Sequence, residues 1–240
     1  MKVKFLGTSH GVPMPGRYYQ SIMIETKNGA YIIDAGAPVM DILINDGYDL
    51  TKIKGVFVTH RHGDHLNGLN DLISLAIWYY TDMSYEVYLP DLISFIATKN
   101  YAEFLNPGNT PDRIKYNLVE EGEFFDNGDI KITAIKTEHL DSSYAFLIEG
   151  EGKKFFVTSD MHYTLKDFPN MLFETEVDLL ITECAHFDPE MLVEKLKNVK
   201  AKLGAIVHVF PVVKYDRLKE LSGEIPFDVV YPYDGDEIVL

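Results

Sequence analysis

The chain has 240 residues, 46% hydrophobic and 25% charged, which is ordinary globular composition and enough length for one sizeable α/β domain. A formal charge of −15, from 37 acidic against 22 basic residues, opposes a broad surface for long nucleic acid, and the sparse basic stretch 195–202 reads as a solvated helix end. The single cysteine, Cys184, excludes an intrachain disulfide and a multi-thiolate zinc site, and it fits a reducing compartment. Met1 leads directly into strand-like sequence with no apolar leader, and no run of about 18 apolar residues follows, so the expectation is a cytoplasmic protein that does not span a membrane.

In chain order, short apolar runs predict strands at Val3–Leu6, Ile22–Glu25 and Ala30–Ile33. The second and third read as a hairpin across Lys27-Asn28-Gly29, since Asn-Gly supplies the positive φ angles of a tight turn. Val56–Thr59 is the next strand, and Leu66–Tyr80 follows as a helix with Leu69, Leu72, Ile73, Ala76 and Ile77 on a buried stripe. Val87–Leu89 precedes a second helix, Asp91–Phe104, whose Leu92, Ile93, Ile96 and Phe104 share the same period. Residues 106–129 are loop-rich, with an edge strand near Ile114–Leu118. Further strands are expected at Ile130–Ile135, Ala145–Ile148, Phe155–Thr158, Leu179–Thr182 and Ala205–Val209. A helix over Pro189–Val199 is capped by Asp188 with proline in its first turn, and Asp228–Leu240 has a terminal strand pattern. Early hairpins followed by strand–helix units imply mixed sheet with helices against it. No repeat or linker divides the chain, which reads as one domain, 1–240.

Three of eight histidines and an aspartate fall within six positions, His60-Arg61-His62-Gly63-Asp64-His65. The cluster sits between a strand and a helix, where a rigid core holds side chains in open space. Imidazole and carboxylate donors suit zinc and other borderline divalent metals. Packing four such polar groups together with no ligand would incur desolvation costs. His139, Asp160 and His208 each end or interrupt an apolar strand. Taken singly, His208 also reads as a core histidine and Asp160 as a cap for a helix over Met161–Asp167.

These residues resemble the HxHxDH pattern of the metallo-β-lactamase superfamily, with His139, Asp160 and His208 in the order of its later ligands and Asp34-Ala35-Gly36 matching its early aspartate motif. The resemblance implies an α+β, four-layer αββα sandwich with two packed mixed sheets and a binuclear centre. Carried over, His60, His62 and His139 hold one ion, Asp64, His65 and His208 the other, and Asp160 bridges both. It implies two divalent ions, zinc favoured, with manganese and iron compatible. It further implies a hydroxide between them as nucleophile, oriented by Asp64. Histidine at 62, where the diiron oxygen-reducing branch has glutamate, favours the hydrolase branches.

Leu6-Gly7-Thr8-Ser9-His10-Gly11-Val12-Pro13 and the continuation Asp64-His65-Leu66-Asn67-Gly68-Leu69 resemble the tRNA 3′-processing endonuclease and phosphodiesterase branch. No basic, glycine-rich insertion suited to tRNA is visible, and the acidity opposes long RNA. A small phosphodiester, such as a cyclic nucleotide or a phosphonate-derived ester, is therefore the expected substrate. The alternatives are a lactone or thioester hydrolase, then a tRNA-processing endonuclease or a non-enzymatic metal-stabilised binding protein. Glu183-Cys184-Ala185-His186 places His186 as a candidate acid for the leaving group, oriented by Glu183, with Cys184 a small buried residue. His10, His162, Arg17 and Arg61 are lesser candidates for phosphate or pocket contacts; His162 reads equally as an exposed turn histidine, and the two arginines as solvated or structural salt-bridge residues. A homo-oligomer is compatible with the sequence, which identifies no protein partner.

Overall fold

The computed structural model describes residues 1–240, which divide into two compact units: Met1–Glu120 with Asp234–Val239, and Glu121–Tyr233 with Leu240. The first unit opens with β1 (Lys2–Gly7), β2 (Ser21–Glu25) and β3 (Ala30–Ile33), followed by α1 (Val39–Asn45) and β4 (Ile53–Phe57). Next come α2 (Gly63–Leu66), α3 (Leu69–Trp78), β5 (Tyr85–Leu89), α4 (Leu92–Leu105) and β6 (Ile114–Leu118). The second unit contains β7 (Gly122–Asp126), β8 (Ile130–Lys136), β9 (Tyr144–Gly150), β10 (Lys153–Val157) and β11 (Leu179–Cys184). It continues with α5 (Pro189–Leu196), β12 (Leu203–Val209), α6 (Lys214–Leu221) and β13 (Asp228–Val230), and β14 (Glu237–Val239) returns to the first unit.

Each unit holds one seven-stranded mixed sheet, ordered β14-β1-β2-β3-β4-β5-β6 in the first and β13-β12-β11-β10-β9-β8-β7 in the second. Parallel pairing decides where functional side chains emerge. Ile33 of β3 lies opposite Phe57 of β4, so Asp34 and Thr59 leave the first sheet at the same edge. In the second sheet Val157 pairs with Ile181, and Ile181 with Ala205, all parallel. The residues following β10 and β11, and the end of β12, therefore share one edge. β8 and β10 are each antiparallel to β9, so β8 also ends there. All residues of β3 and β11 are buried, as their near-continuous apolar runs require.

The hairpin between β2 and β3 forms, but neither Asn28 nor Gly29 takes a positive φ. Instead the Thr26 hydroxyl accepts the main-chain N–H groups of Asn28 (3.1 Å) and Gly29 (3.0 Å), closing the turn with a side chain. The expected helix over 66–80 is broken at Asn67-Gly68 into α2 and α3. Gly68 passes so close to the chain that a Cβ there would lie 1.9 Å from the Ala37 carbonyl. The stripe itself is as expected: Leu69, Leu72, Ile73, Ala76 and Ile77 are buried in the unit's core.

The helix α4 corrects a second expectation. Asp91 caps it through a capping box with Ser94, but Leu92, Ile93, Ile96 and Phe104 are 58%, 66%, 47% and 76% exposed. Ser94, Thr98 and Ala102 face inward instead, because small side chains allow the backbone to approach its neighbours closely. The edge strand expected near Ile114–Leu118 forms as β6 at the edge of the first sheet, residues 106–129 also carry β7, and the terminal stretch splits, β13 joining the second sheet and β14 the first. No helix is long and apolar enough to cross a membrane.

Candidate metal centre

In the first unit the histidine loop begins where β4 ends and hangs from one carboxylate. Asp34, 1% exposed with a φ of 58°, follows β3. Its Oδ1 accepts the Thr59 main-chain N–H at 2.8 Å, and both oxygens accept the Thr59 hydroxyl, at 3.0 and 2.9 Å. Asp34 Oδ2 also lies 2.7 Å from His65 Nδ1. With Nδ1–H donated to that carboxylate, the lone pair of His65 stands on Nε2, the tautomer a metal ligand needs. His65 Nε2 lies 3.7 Å from Asp64 Oδ2.

His60 is fully buried, its Nδ1 3.2 Å from the Thr59 hydroxyl and its Nε2 3.1 Å from His62 Nδ1. Gly36 is required because a Cβ there would meet the Asp64 carbonyl oxygen at 1.7 Å, and Ala35 N–H donates to His65 O at 2.8 Å. The Asp34-Ala35-Gly36 turn thus locks directly onto α2. Arg61 is turned away, its Nη1 2.6 Å from Asp91 Oδ2 at the start of α4. That ion pair is the structural salt-bridge role, one of the two open to Arg61 from the sequence, and it anchors the loop.

In the second unit His139, Asp160, His186 and His208 gather around the aspartate. Asp160, 3% exposed, turns Oδ2 toward His139 Nε2 (3.6 Å) and His186 Nε2 (3.8 Å), and Oδ1 toward His208 Nδ1 (3.5 Å). These spacings exceed a hydrogen bond. Two donors bound at about 2.1 Å to one tetrahedral ion stand roughly 3.4 Å apart, so the spacing suits convergence on a cation. Single ligand atoms of Asp160, His186 and His208 lie within 4.8 Å of one another. Residues 161–167 form a turn, so Asp160 caps no helix there. Ser159 and His208 adopt φ values of 52° and 50°, left-handed conformations that a non-glycine residue holds only where its surroundings impose them.

The His139 loop is tied by Thr137, whose N–H donates to Ser143 O (2.9 Å) and whose hydroxyl donates to Ser143 Oγ (2.8 Å). Glu183, 2% exposed, is saturated: Oε1 accepts Met161 N–H (3.0 Å) and His186 Nδ1 (2.8 Å), while Oε2 accepts the N–H groups of Ala185 (2.7 Å) and His186 (3.2 Å). His186 therefore presents Nε2 beside Asp160, backed by a buried carboxylate.

Sequence reasoning missed Lys214. Its ammonium donates to the carbonyls of Phe187 (2.7 Å), Ala185 (3.0 Å) and Cys184 (3.3 Å), clamping the loop that carries His186. A lysine at the start of a polar helix offers no local signal of this role. Burial pushes the Cys184 thiol up to about 12, which removes it as a nucleophile. His162 bonds Thr164 Oγ1 at 2.8 Å within its own turn, and His10 Nδ1 accepts Val12 N–H at 3.1 Å.

Both units thus carry histidine–aspartate clusters with the donor chemistry of divalent-metal ligands, edge-mounted on mixed sheets; His60, His65, Asp160 and His208 are buried, Asp64, His139 and His186 partly so, and His62 is exposed. The chain superimposes on the metallo-β-lactamase fold protein YhfI of Bacillus subtilis with a TM-score of 0.79 over 99% of both chains at 21% identity. It superimposes on the short form of human tRNase Z with a TM-score of 0.77 over 100% of this chain and 99% of that one, again at 21% identity. The fold class is therefore the αββα metallo-β-lactamase type. Residues 1–206 match the family described as Anti-Pycsar protein Apyc1, and the chain belongs to that family. It is also 28% identical over 157 residues to ribonuclease Z of Listeria innocua, covering 64% of this chain and 51% of that protein, so it spans about half the length of such relatives.

Proposed function

We propose that the protein is a metal-dependent phosphodiesterase acting on a small phosphodiester, with cyclic nucleotides the leading candidates. In this reading the two units act as one domain. His60, His62 and His139 would hold one ion, Asp64, His65 and His208 the other, and Asp160 would serve both. Zinc is favoured, and manganese or iron suits the same nitrogen–oxygen set. Bound there, two divalent ions supply polarisation of a phosphoryl oxygen and acidification of a water.

The chain's own residues do the rest. Asp64 orients the attacking water by accepting one of its hydrogens. The observation that carries the phosphodiester reading is the Glu183–His186 pair. An alkoxide leaving a phosphodiester needs a proton, and His186 Nε2 donates it while Glu183 stabilises the cationic imidazole and keeps Nδ1–H in place. His186 is a quarter exposed, so the site is open to a leaving group and to reprotonation from solvent. A formal charge of −15 favours a short substrate over tRNA.

The test is a panel of cyclic nucleotides, aryl phosphodiesters, lactones and thioesters presented to the metal-loaded full chain. Turnover of phosphodiesters, lost on chelation, is expected. Efficient lactone or thioester hydrolysis with no phosphodiester turned over would replace this reading with the other hydrolase class.

A further inference from the structure

Two ligand-bearing loops of the second unit are joined by a carboxylate that belongs to neither cluster. Asp167 Oδ2 accepts the Glu138 main-chain N–H at 2.7 Å, one residue before His139. The same side chain accepts the His162 main-chain N–H, at 3.1 Å from Oδ1 and 3.0 Å from Oδ2, two residues after Asp160. Asp167 is half-buried, and the neighbouring Lys166 pairs with the Glu138 carboxylate across the same gap.

The turn that carries Asp167 is fixed on its apolar side by Met161, Leu165 and Phe168, all buried in the unit's core. Ser159 and Leu165, on either side of Asp160, hold φ values of 52° and 53°, conformations that persist only where neighbours over-determine them. Two further links span the same loops, and both are weaker. The Thr137 hydroxyl stands 3.3 Å from the Asp160 carbonyl oxygen but 2.8 Å from Ser143 Oγ, so its one proton is spent on Ser143. The Lys166–Glu138 pair is 50% and 56% exposed, and water leaves such a pair little strength.

We propose that Asp167 is a positioning residue: it holds the His139 loop and the Asp160 turn in one fixed relation and so sets the 3.6 Å separation of His139 Nε2 from Asp160 Oδ2. The proposal rests on the metal-centre reading above and adds how two of its ligands stay aligned. An ionised carboxylate accepts on both oxygens and donates nothing, so one side chain serves N–H groups from two loops together. An asparagine keeps a single acceptor oxygen and turns an amide donor toward the second N–H. Ligands already held at their working spacing lose little freedom when a cation binds, so the tie should be visible in affinity.

The experiment sets amide hydrogen exchange of the metal-free full chain beside zinc affinity and the visible spectrum of the cobalt(II)-loaded chain. Asp167→Ala should speed exchange at least about tenfold in segments 137–140 and 161–164 together, the size expected from one lost hydrogen bond in each. Zinc affinity should fall about 10- to 100-fold, as when a group orienting a ligand is removed, and the cobalt bands should shift. Lys166→Ala, which cuts only the exposed pair, should change none of the three, and an equal effect from it would overturn the proposal. Asp167→Asn makes the same comparison, with smaller changes, should the alanine protein not fold. Faster exchange in both loops with unchanged zinc affinity and cobalt spectrum would reduce Asp167 to a local support and overturn the positioning role. So would faster exchange that extends equally to β7 and β8, or no change at all. If the parent chain binds neither zinc nor cobalt, the metal-centre reading falls and exchange decides alone. Acceleration confined to the two loops then supports the tie, and any other pattern overturns it.

Discussion

The two units build their ligand clusters in opposite ways. The first takes four donors from one six-residue loop, His60 to His65, held by Asp34 and Thr59. The second collects His139, Asp160, His186 and His208 from four separate strand ends spread over 70 positions, and only the parallel register of β10, β11 and β12, with β8 and β10 both antiparallel to β9, brings them to one edge. A compact loop can be anchored by one buried acceptor. A dispersed cluster needs each donor fixed separately, which is why Thr137, Ser143, Glu183 and Lys214 all appear in the second unit. The first cluster should fail through its anchor and the second through its shared carboxylate.

The largest effect is expected at Asp160, which faces three histidines. Asp160→Ala should reduce metal content from about two ions per chain to below one, with turnover falling at least about a thousandfold, since both proposed ions lose a ligand. Metal analysis of protein purified without chelator, beside activity, reads this out. Undiminished metal content would remove Asp160 from its proposed bridging place.

Next is the anchor. Asp34→Ala strips Thr59 and His65 of their acceptor without deleting any proposed ligand. Loss of a partner that orients a metal-bound histidine typically weakens metal affinity by about 10- to 100-fold, and the buried donors left behind cost about 1–3 kcal/mol each. Competition against a chelator of known affinity measures the first effect, and thermal unfolding the second. An Asp34→Ala protein with unchanged metal affinity would show that the loop holds its geometry without the anchor.

His186 separates acid chemistry from metal holding. His186→Ala should leave metal content unchanged while slowing alkoxide leaving groups by about a hundredfold, and nitrophenolate far less, because nitrophenolate departs without a proton. Lys214→Met, which releases three carbonyls of the same loop, should show the same leaving-group bias in weaker form. Loss of metal in His186→Ala would instead make His186 a ligand, a place its distance to Asp160 also permits.

How legible each region was follows from the same contrast. The histidine loop follows a distinct strand end and is legible directly, as is the stripe on α3, whereas its Asp34 anchor is legible only through the family resemblance. His139, Asp160 and His208 were legible only because each interrupts an apolar run. The clamp by Lys214 and the Thr137–Ser143 tie depend on register, which the local pattern does not encode. α4 shows the limit of periodicity: it locates an apolar stripe but says nothing of which way that stripe faces, and here Ser94, Thr98 and Ala102 take the inward side.

The smallest expected effect concerns the link from the histidine loop to α4. Burial raises the pKa of Asp91, but the Ser94 N–H, the Arg61 guanidinium and the Ser94 hydroxyl outweigh it, so the carboxyl sits below its usual range. A depressed folded-state pKa means that the folded protein binds this proton less readily than the unfolded chain. Its contribution to stability is therefore complete above the ordinary carboxylate pKa near 4 and is lost as pH falls through the lowered folded value. Asp91→Ala removes a helix cap worth about 1 kcal/mol, equivalent to roughly 2–4 °C in the midpoint of a chain this size. The difference in midpoint between the parent and Asp91→Ala should be widest near neutral pH and narrow as acid is approached. A constant offset at every pH would mean that packing at the start of α4, and not the charge on Asp91, carries the link. Arg61→Ala refines the comparison. Its guanidinium is more than a third exposed, so losing it should cost less than losing the cap, while a shift in metal affinity would show that the anchor reaches back to His60 and His62.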